Sequence, residues 1–293
     1  MNKINFGQAV IGAMLCMSFG SIAETTHINK AFKDYWYAGD AELTSYKLQQ
    51  ARYGELNEGT AVLIYASEQF LSKAQVKANS ASNENIPVLK LNKHKSFLTG
   101  IYPYNIMTST FSPIDNNSHA IKVTNTTQEW CGNAFSQLNN RALFDVTIHS
   151  YFEGEADQDF SLSKATLEDE LWTKIRLDPM SLPTGDMNVI PSLEYIRLLH
   201  IETKAYPAKI GLSKAEKTSV YTINYPTLKR TLSITFNNTF PYVIEGWADT
   251  YKSGFDAKAK VLTSTATKIA TIKEKYWELH NNQHVTYRKK LGL

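Results

Sequence analysis

Short runs in which apolar and polar residues alternate, each closed by a turn, recur along most of this 293-residue chain. Successive side chains of an extended backbone point to opposite sides, so a period of two marks a strand with one buried face. Residues 41–51 alternate in this way and run into the turn Arg52-Tyr53-Gly54, with residues 60–65 placed to return as a hairpin partner. Further strands are expected at 88–91, 96–101, 105–111, 120–125 and 142–152, then at 193–203, 219–225, 231–237 and 260–271. Residues 78–86, rich in Asn and Ser and followed by Pro87, read as a polar loop. Abundant aromatics, 16 Tyr and 13 Phe, suit pleated and half-buried surfaces. So many strands with short links imply a mainly β fold: a large curved antiparallel sheet, barrel-like or a sandwich.

One stretch breaks the rhythm. Leu167, Leu171 and Ile175 recur every four residues with Trp172 beside them, which predicts an amphipathic helix near 164–177. Thr166 and Asp169 fit a capping box, and Asp178-Pro179 stops the helix because the residue before proline avoids helical geometry. A lone amphipathic helix among strands is expected to cover an open sheet face. A second, short helix is expected near the C-terminus, within 272–287. With no repeat and no linker, residues 24–293 read as a single β-rich domain.

The first 23 residues have the layout of a secretory signal peptide. Lys3 precedes an apolar stretch too short to span a bilayer, and Ser21-Ile22-Ala23 offers small residues for cleavage after Ala23. The expected location is periplasmic or secreted, with no transmembrane segment in the mature chain. Lys3 is the only charged residue of that leader, so 30 basic and 28 acidic residues remain. That balance argues against a nucleic-acid binder, which needs a dense basic face. Nine of the basic residues lie beyond Tyr251, where only Asp256, Glu274 and Glu278 oppose them. Such a basic C-terminal tail reads as a solvated terminus or as a weak contact with an anionic surface. Past the leader only Cys131 remains, so no intramolecular disulfide is available and burial alone must hold the fold.

No phosphate-cradling glycine loop, Cys-x-x-Cys, His-Glu-x-x-His or Gly-x-Ser-x-Gly occurs, and no cofactor is predicted. The densest polar cluster lies at 149–159. If that segment is one extended strand, His149, Tyr151, Glu153, Glu155, Asp157 and Asp159 share a face. A cation would relieve their mutual repulsion, making His149, Glu153, Glu155 and Asp157 candidate ligands of a divalent metal. The plainer reading is a water-facing strand running into a loop. Asp157-x-Asp159-x-Ser161 imitates a calcium loop, but Leu162 stands where the turn glycine belongs. Gln128-Glu129-Trp130-Cys131-Gly132 sets a thiol beside a flexible glycine. With His119 or His149 near, Cys131 would be a nucleophile, and with His149 and Glu153 it forms the candidate catalytic set. The alternative is a small buried residue next to a tryptophan. Trp130 and Tyr151 are candidate ligand-binding aromatics, although aromatics are also the ordinary filling of a β core.

Several stretches together carry a resemblance: Phe32-Lys33-Asp34-Tyr35-Trp36-Tyr37, Gln50-Ala51-Arg52-Tyr53-Gly54, Gly100-Ile101-Tyr102-Pro103-Tyr104, Gln128-Glu129-Trp130-Cys131-Gly132 and His149-Ser150-Tyr151-Phe152-Glu153-Gly154-Glu155. Their order resembles an uncharacterised family of secreted bacterial envelope proteins, over nearly the whole of residues 24–293. Members sometimes carry the label "septum formation inhibitor Maf". Maf proteins themselves are similar to cytoplasmic nucleotide pyrophosphatases with an α/β fold and an N-terminal Ser-x-Arg-Arg-like phosphate-binding stretch. This chain lacks that stretch, so no Maf residue carries over. The resemblance implies an exported protein and supplies no activity. The expectation is therefore a non-catalytic envelope protein that binds a small or lipid-like ligand, or a protein partner, in a β concavity. A hydrolase built on Cys131 and His149, or on a metal at 149–159, is the alternative; a third reading, from the label alone, is a Maf-like nucleotide pyrophosphatase.

Overall fold

Alternation becomes sheet almost throughout the described residues, 28–293 of a computed structural model. After helix α1 (Lys30–Trp36) come β1 (Ala41–Arg52), β2 (Glu55–Leu71), the short β3 (Val76–Lys77), β4 (Asn85–Thr99) and β5 (Tyr102–Pro113). The chain continues through β6 (Lys122–Glu129), β7 (Gly132–Asn140), β8 (Phe144–Ser150) and β9 (Gln158–Leu162) to β10 (Thr166–Leu167) and helix α2 (Glu168–Leu177). Then follow β11 (Gly185–Ile190), helix α3 (Leu193–Leu199), β12 (Tyr206–Lys214) and β13 (Thr218–Tyr225). Last are β14 (Arg230–Asn237), β15 (Ile244–Ser253), β16 (Lys260–Glu274) and helix α4 (Thr286–Lys290).

All sixteen strands belong to one sheet, ordered β10 through β16, then β1, β2 and β4 through β9, with β3 paired to β2. Pairing is antiparallel except between β10 and β11. The fold is mainly β, one large curved sheet rather than a two-sheet sandwich, and it is not closed into a barrel. Its two edge strands, β9 and β10, are consecutive in the chain and joined only by Ser163, Lys164 and Ala165. Four Cα steps reach at most about 14 Å. The sheet therefore curls until its edges nearly meet, leaving an open seam.

The predicted helix exists as α2, but it does not cover an outer face. It lies inside the curl, and every residue from Glu168 to Leu177 is buried. Leu171, Trp172 and Ile175 belong to the main core, where Trp172 meets Trp247 edge-on at 5.2 Å. Its charged residues, which a helical wheel would send to water, find partners on the sheet and on the neighbouring helix α3. Arg230 donates to both Glu168 oxygens at 2.8 and 2.7 Å and to Asp249 at 2.8 Å. Glu170 accepts from the Ala120 N–H at 2.7 Å, and Arg176 donates a two-pronged pair to Glu42, both bonds 2.6 Å. Lys93 stands between Asp169 and Glu194, while Lys95 donates to Glu194 at 2.7 Å. Three acids at the N-terminus also suit the positive end of the helix dipole. Burial would otherwise penalise each of these ions heavily, so pairing is the condition of their presence there.

Short helices sit at both ends of α2. Phe32 and Trp36 of α1 are buried near its C-terminus, where Arg176 lies 5.1 Å from the Trp36 ring. At the other end Asp169 accepts from the Leu193 N–H of α3 at 3.0 Å. Residues 193–203 are thus helical over Leu193–Leu199, not a strand as alternation suggested. Leu193, Ile196 and Leu199 also satisfy helical spacing, and His200 stops the helix in the left-handed region at φ 53°. Strands β7, β9, β11, β12 and β15 are additional to those expected; in β12 and β15, Pro207, Gly211 and Gly246 interrupt the pattern.

The short C-terminal helix is present as α4, later than expected because β16 runs on to Glu274. Much of the basic tail is strand: Lys268 pairs with Glu245 at 2.5 Å and Lys273 with Asp40 at 3.1 Å. Beyond α4, Leu291 is buried among Ala41, Leu43 and Ala66. The leader at 1–23 and the cleavage point after Ala23 lie outside the described residues.

Candidate functional site

The acidic cluster does not form one extended strand. β8 ends at Ser150, the chain turns through 151–157 with Ala156 at φ 52°, and β9 starts at Gln158. The six side chains therefore do not share a face. His149, on the outer surface of β8, faces Asp157 at 3.3 Å, both exposed. Glu153 stands exposed on the loop. Glu155 turns inward and is held by three groups, accepting from Ser150 at 2.5 Å and from His200 Nδ1 at 2.6 Å, with Arg197 at 3.6 Å. Burial alone would raise the Glu155 pKa, but those hydrogen bonds and the guanidinium outweigh it and hold the carboxyl below its ordinary value. Among the described residues no group of three or more His, Cys, Asp or Glu side chains is placed to hold a metal ion.

Glu155 marks the border of a cleft of about 750 Å³ between β9 and residues 196–204. Its floor is apolar: Ile148, Phe160 and Leu162 on the sheet side, Ile196 and Ile201 opposite. These residues continue the second hydrophobic cluster, which also holds Val146, Leu167 and Ile190. The rim is charged, with Glu155, Asp157 and Asp159 on one side and Arg197, His200 and Lys204 on the other. Arg197 is only 4% exposed, and its guanidinium lies 4.1 Å from the Phe152 ring. Burial lowers its pKa, and its Nε has no protein partner. The cleft exists where the curled sheet fails to close. Its size falls within the roughly 300–1,000 Å³ usual for small-molecule sites.

His149, Tyr151 and Asp157 also border a shallower hollow of about 470 Å³ on the outer face, floored by Phe135 and Ala134. Next to it Tyr151 covers Gly132, where a Cβ would come within 2.7 Å of the ring. Tyr151 is 75% exposed and Trp130 is 68% exposed, stacked beside Tyr102 at 6.3 Å, so neither fills the core. Cys131 is exposed at the β6–β7 hairpin tip, and its N–H donates to Glu129 at 2.7 Å. Glu129 pushes the thiol pKa up, the opposite of what an activated nucleophile needs. His119 lies at the other end of the eight-residue β6, occupied with Glu170 at 2.9 Å. At about 3.3 Å per residue that strand separates the two groups by roughly 26 Å.

Of the residues singled out by sequence, the cleft collects Glu155, Asp157 and Asp159, whereas Cys131, Trp130 and Glu153 are not among its lining. Sequence reasoning missed Arg197, His200, Phe160 and Ile201. The spacing of Leu193, Ile196 and Leu199 was a signal that a helix would bring the first two there.

No family model, curated protein or solved structure matches the chain. Among the described residues no helix is long and apolar enough to cross a membrane.

Proposed function

We propose that this chain is a non-catalytic protein of the bacterial cell envelope that holds an amphipathic ligand, or the segment of a partner, in the seam cleft. One observation carries the reading: the roughly 750 Å³ cleft joins an apolar floor to a charged rim at the place where the sheet stays open. The sheet's concavity, where a ligand was first expected, is taken up by α2. The leader-like N-terminus and the family resemblance support the envelope location. The nearly balanced charge speaks against nucleic acid as a partner. The raised Cys131 thiol gives no support to the hydrolase alternative.

The test is titration with dodecyltrimethylammonium below its micellar concentration, read by methyl NMR. Saturable shifts confined to Ile148, Leu162, Ile196 and Ile201 are expected. Native mass spectrometry of protein drawn from its own envelope fraction should show one retained species per chain. Absence of both saturable shifts and a retained species refutes the reading.

A further inference from the structure

Among the described residues β9 pairs with β8 alone, so from Gln158 to Leu162 none of their strands lies on its other side. The cleft opens along that side, where Gln158, Asp159, Phe160 and Leu162 line it. An exposed edge of this kind is a template for another extended chain. The cleft, about 750 Å³, has room for one, and a strand added to β9 would lie about 4.8 Å from it.

Side-chain chemistry then selects the occupant. Phe160 and Leu162 face inward with Ile148, whereas Asp159 and Ser161 face outward. An added strand takes the same alternation, so its inward residues meet Phe160, Ile196 and Ile201. Its outward residues meet Asp159 and, past the strand end, Asp157. Among the described residues no Lys or Arg forms an ion pair with these two: Asp159 accepts from Thr147 at 2.6 Å, and Asp157 faces the exposed His149. Glu155 and Glu202, by contrast, already have Arg197 and Lys204. The uncompensated charge along the outer lip is negative.

We propose that the seam cleft takes up an extended peptide as a strand added to β9, with apolar side chains inward and basic side chains outward against Asp157 and Asp159. Main-chain hydrogen bonds give such a complex its affinity, and alternate side chains its specificity. This inference rests on the reading of the cleft as the binding site.

The test uses the full chain and a dye-labelled, end-capped hexapeptide alternating valine and lysine, followed by fluorescence anisotropy. Saturable binding is expected, with at least tenfold weaker binding when glutamate replaces lysine or when the same residues are arranged in two blocks. N-methylation of one alternate set of residues should abolish binding while methylation of the other set spares it. Asp159→Lys, at an exposed position, should weaken the lysine peptide at least tenfold and strengthen the glutamate peptide. Equal binding of the two methylated forms, or indifference to Asp159→Lys, overturns the proposal. If the peptide fails while dodecyltrimethylammonium still shifts the cleft methyls, strand addition is wrong and the cleft reading stands. If neither probe binds and native mass spectrometry shows no retained species, both fall. A dimer that forms without peptide and dissociates in Phe160→Asp would give the edge to a second copy and likewise overturn the proposal.

Discussion

Arg176 offers the sharpest test of how the interior is held. Its guanidinium is 1% exposed and the Glu42 carboxylate is fully buried, with two bonds of 2.6 Å between them. Arg176 also donates Nε to the Pro241 carbonyl at 2.8 Å and lies 4.6 Å from the Tyr65 ring. Arg176→Met keeps much of the volume but leaves Glu42 buried with only Tyr35 and Thr44 as hydrogen-bond donors. An uncompensated buried charge costs about 3–5 kcal/mol. At about 2–4 °C per kcal/mol, the melting temperature should drop by roughly 6–20 °C. Adding Glu42→Gln removes the stranded charge, and the double variant should recover at least about 2 kcal/mol, a coupling typical of contacting residues. Urea unfolding followed by tryptophan fluorescence measures all three variants.

The pH dependence adds an independent check. Burial would raise the Glu42 pKa, but Arg176 outweighs it and lowers it in the native protein. The pair therefore stabilises above the usual carboxylate pKa of about 4.3 and loses that contribution as pH falls through the lowered value. In Arg176→Met burial wins instead, so the variant's penalty is relieved by protonation. The gap between the two proteins should narrow as the solution is acidified. A loss below about 1 kcal/mol for Arg176→Met, or a double variant as unstable as the sum of the single changes, would refute the account.

Glu194 tells a parallel story: burial opposes its ionisation, yet Lys95 and Lys93 bring its pKa down to about 2. Its contribution should fade between about pH 4.3 and 2, and Glu194→Gln should flatten the acid limb of a stability–pH curve. Two glycines should differ in their tolerance of alanine. At Gly246 a Cβ would meet the Ala266 carbonyl oxygen at 2.3 Å, so Gly246→Ala should lose about 1–3 kcal/mol in urea unfolding. Gly132→Ala should lose less, because the exposed Tyr151 ring can swing away. Cys131→Ser, at an exposed hairpin tip, should leave the urea unfolding midpoint unchanged. Alkylation of Cys131 should accelerate only above the ordinary thiol pKa of about 8.5, and a midpoint below that value would contradict the raised thiol.

Strands whose inner face is apolar and outer face polar, such as β5, β6 and β8, were legible because alternation records which side is buried, whereas β7, between two of them, was not read. β12 and β15 were not, since proline, glycine and polar residues inside them are tolerated only by the finished sheet. Helix α2 was visible as a period but not as a buried rod. Glu168, Asp169, Glu170, Lys174 and Arg176 look like a solvent face, and their partners Glu42, His119 and Arg230 lie far off in sequence. The candidate site divides in the same way. Glu155 and Asp157 stood out as local charge, while Arg197 and His200 reach Glu155 from more than forty residues away, on a helix whose short apolar pattern also fits a strand.

The pairing of β16 with β1 has a consequence for how the molecule is made. Gln49 faces Thr265 and Ala41 faces Glu274, so the first and last strands lie side by side with the rest of the sheet extending away on both flanks. Joining them requires closing a loop of more than two hundred residues, a slow step with a large entropy loss. Until the final strand arrives, β1 and β15 are both bare edges open to intermolecular pairing. A nascent or clipped chain ending before Lys260 should thus be prone to aggregation.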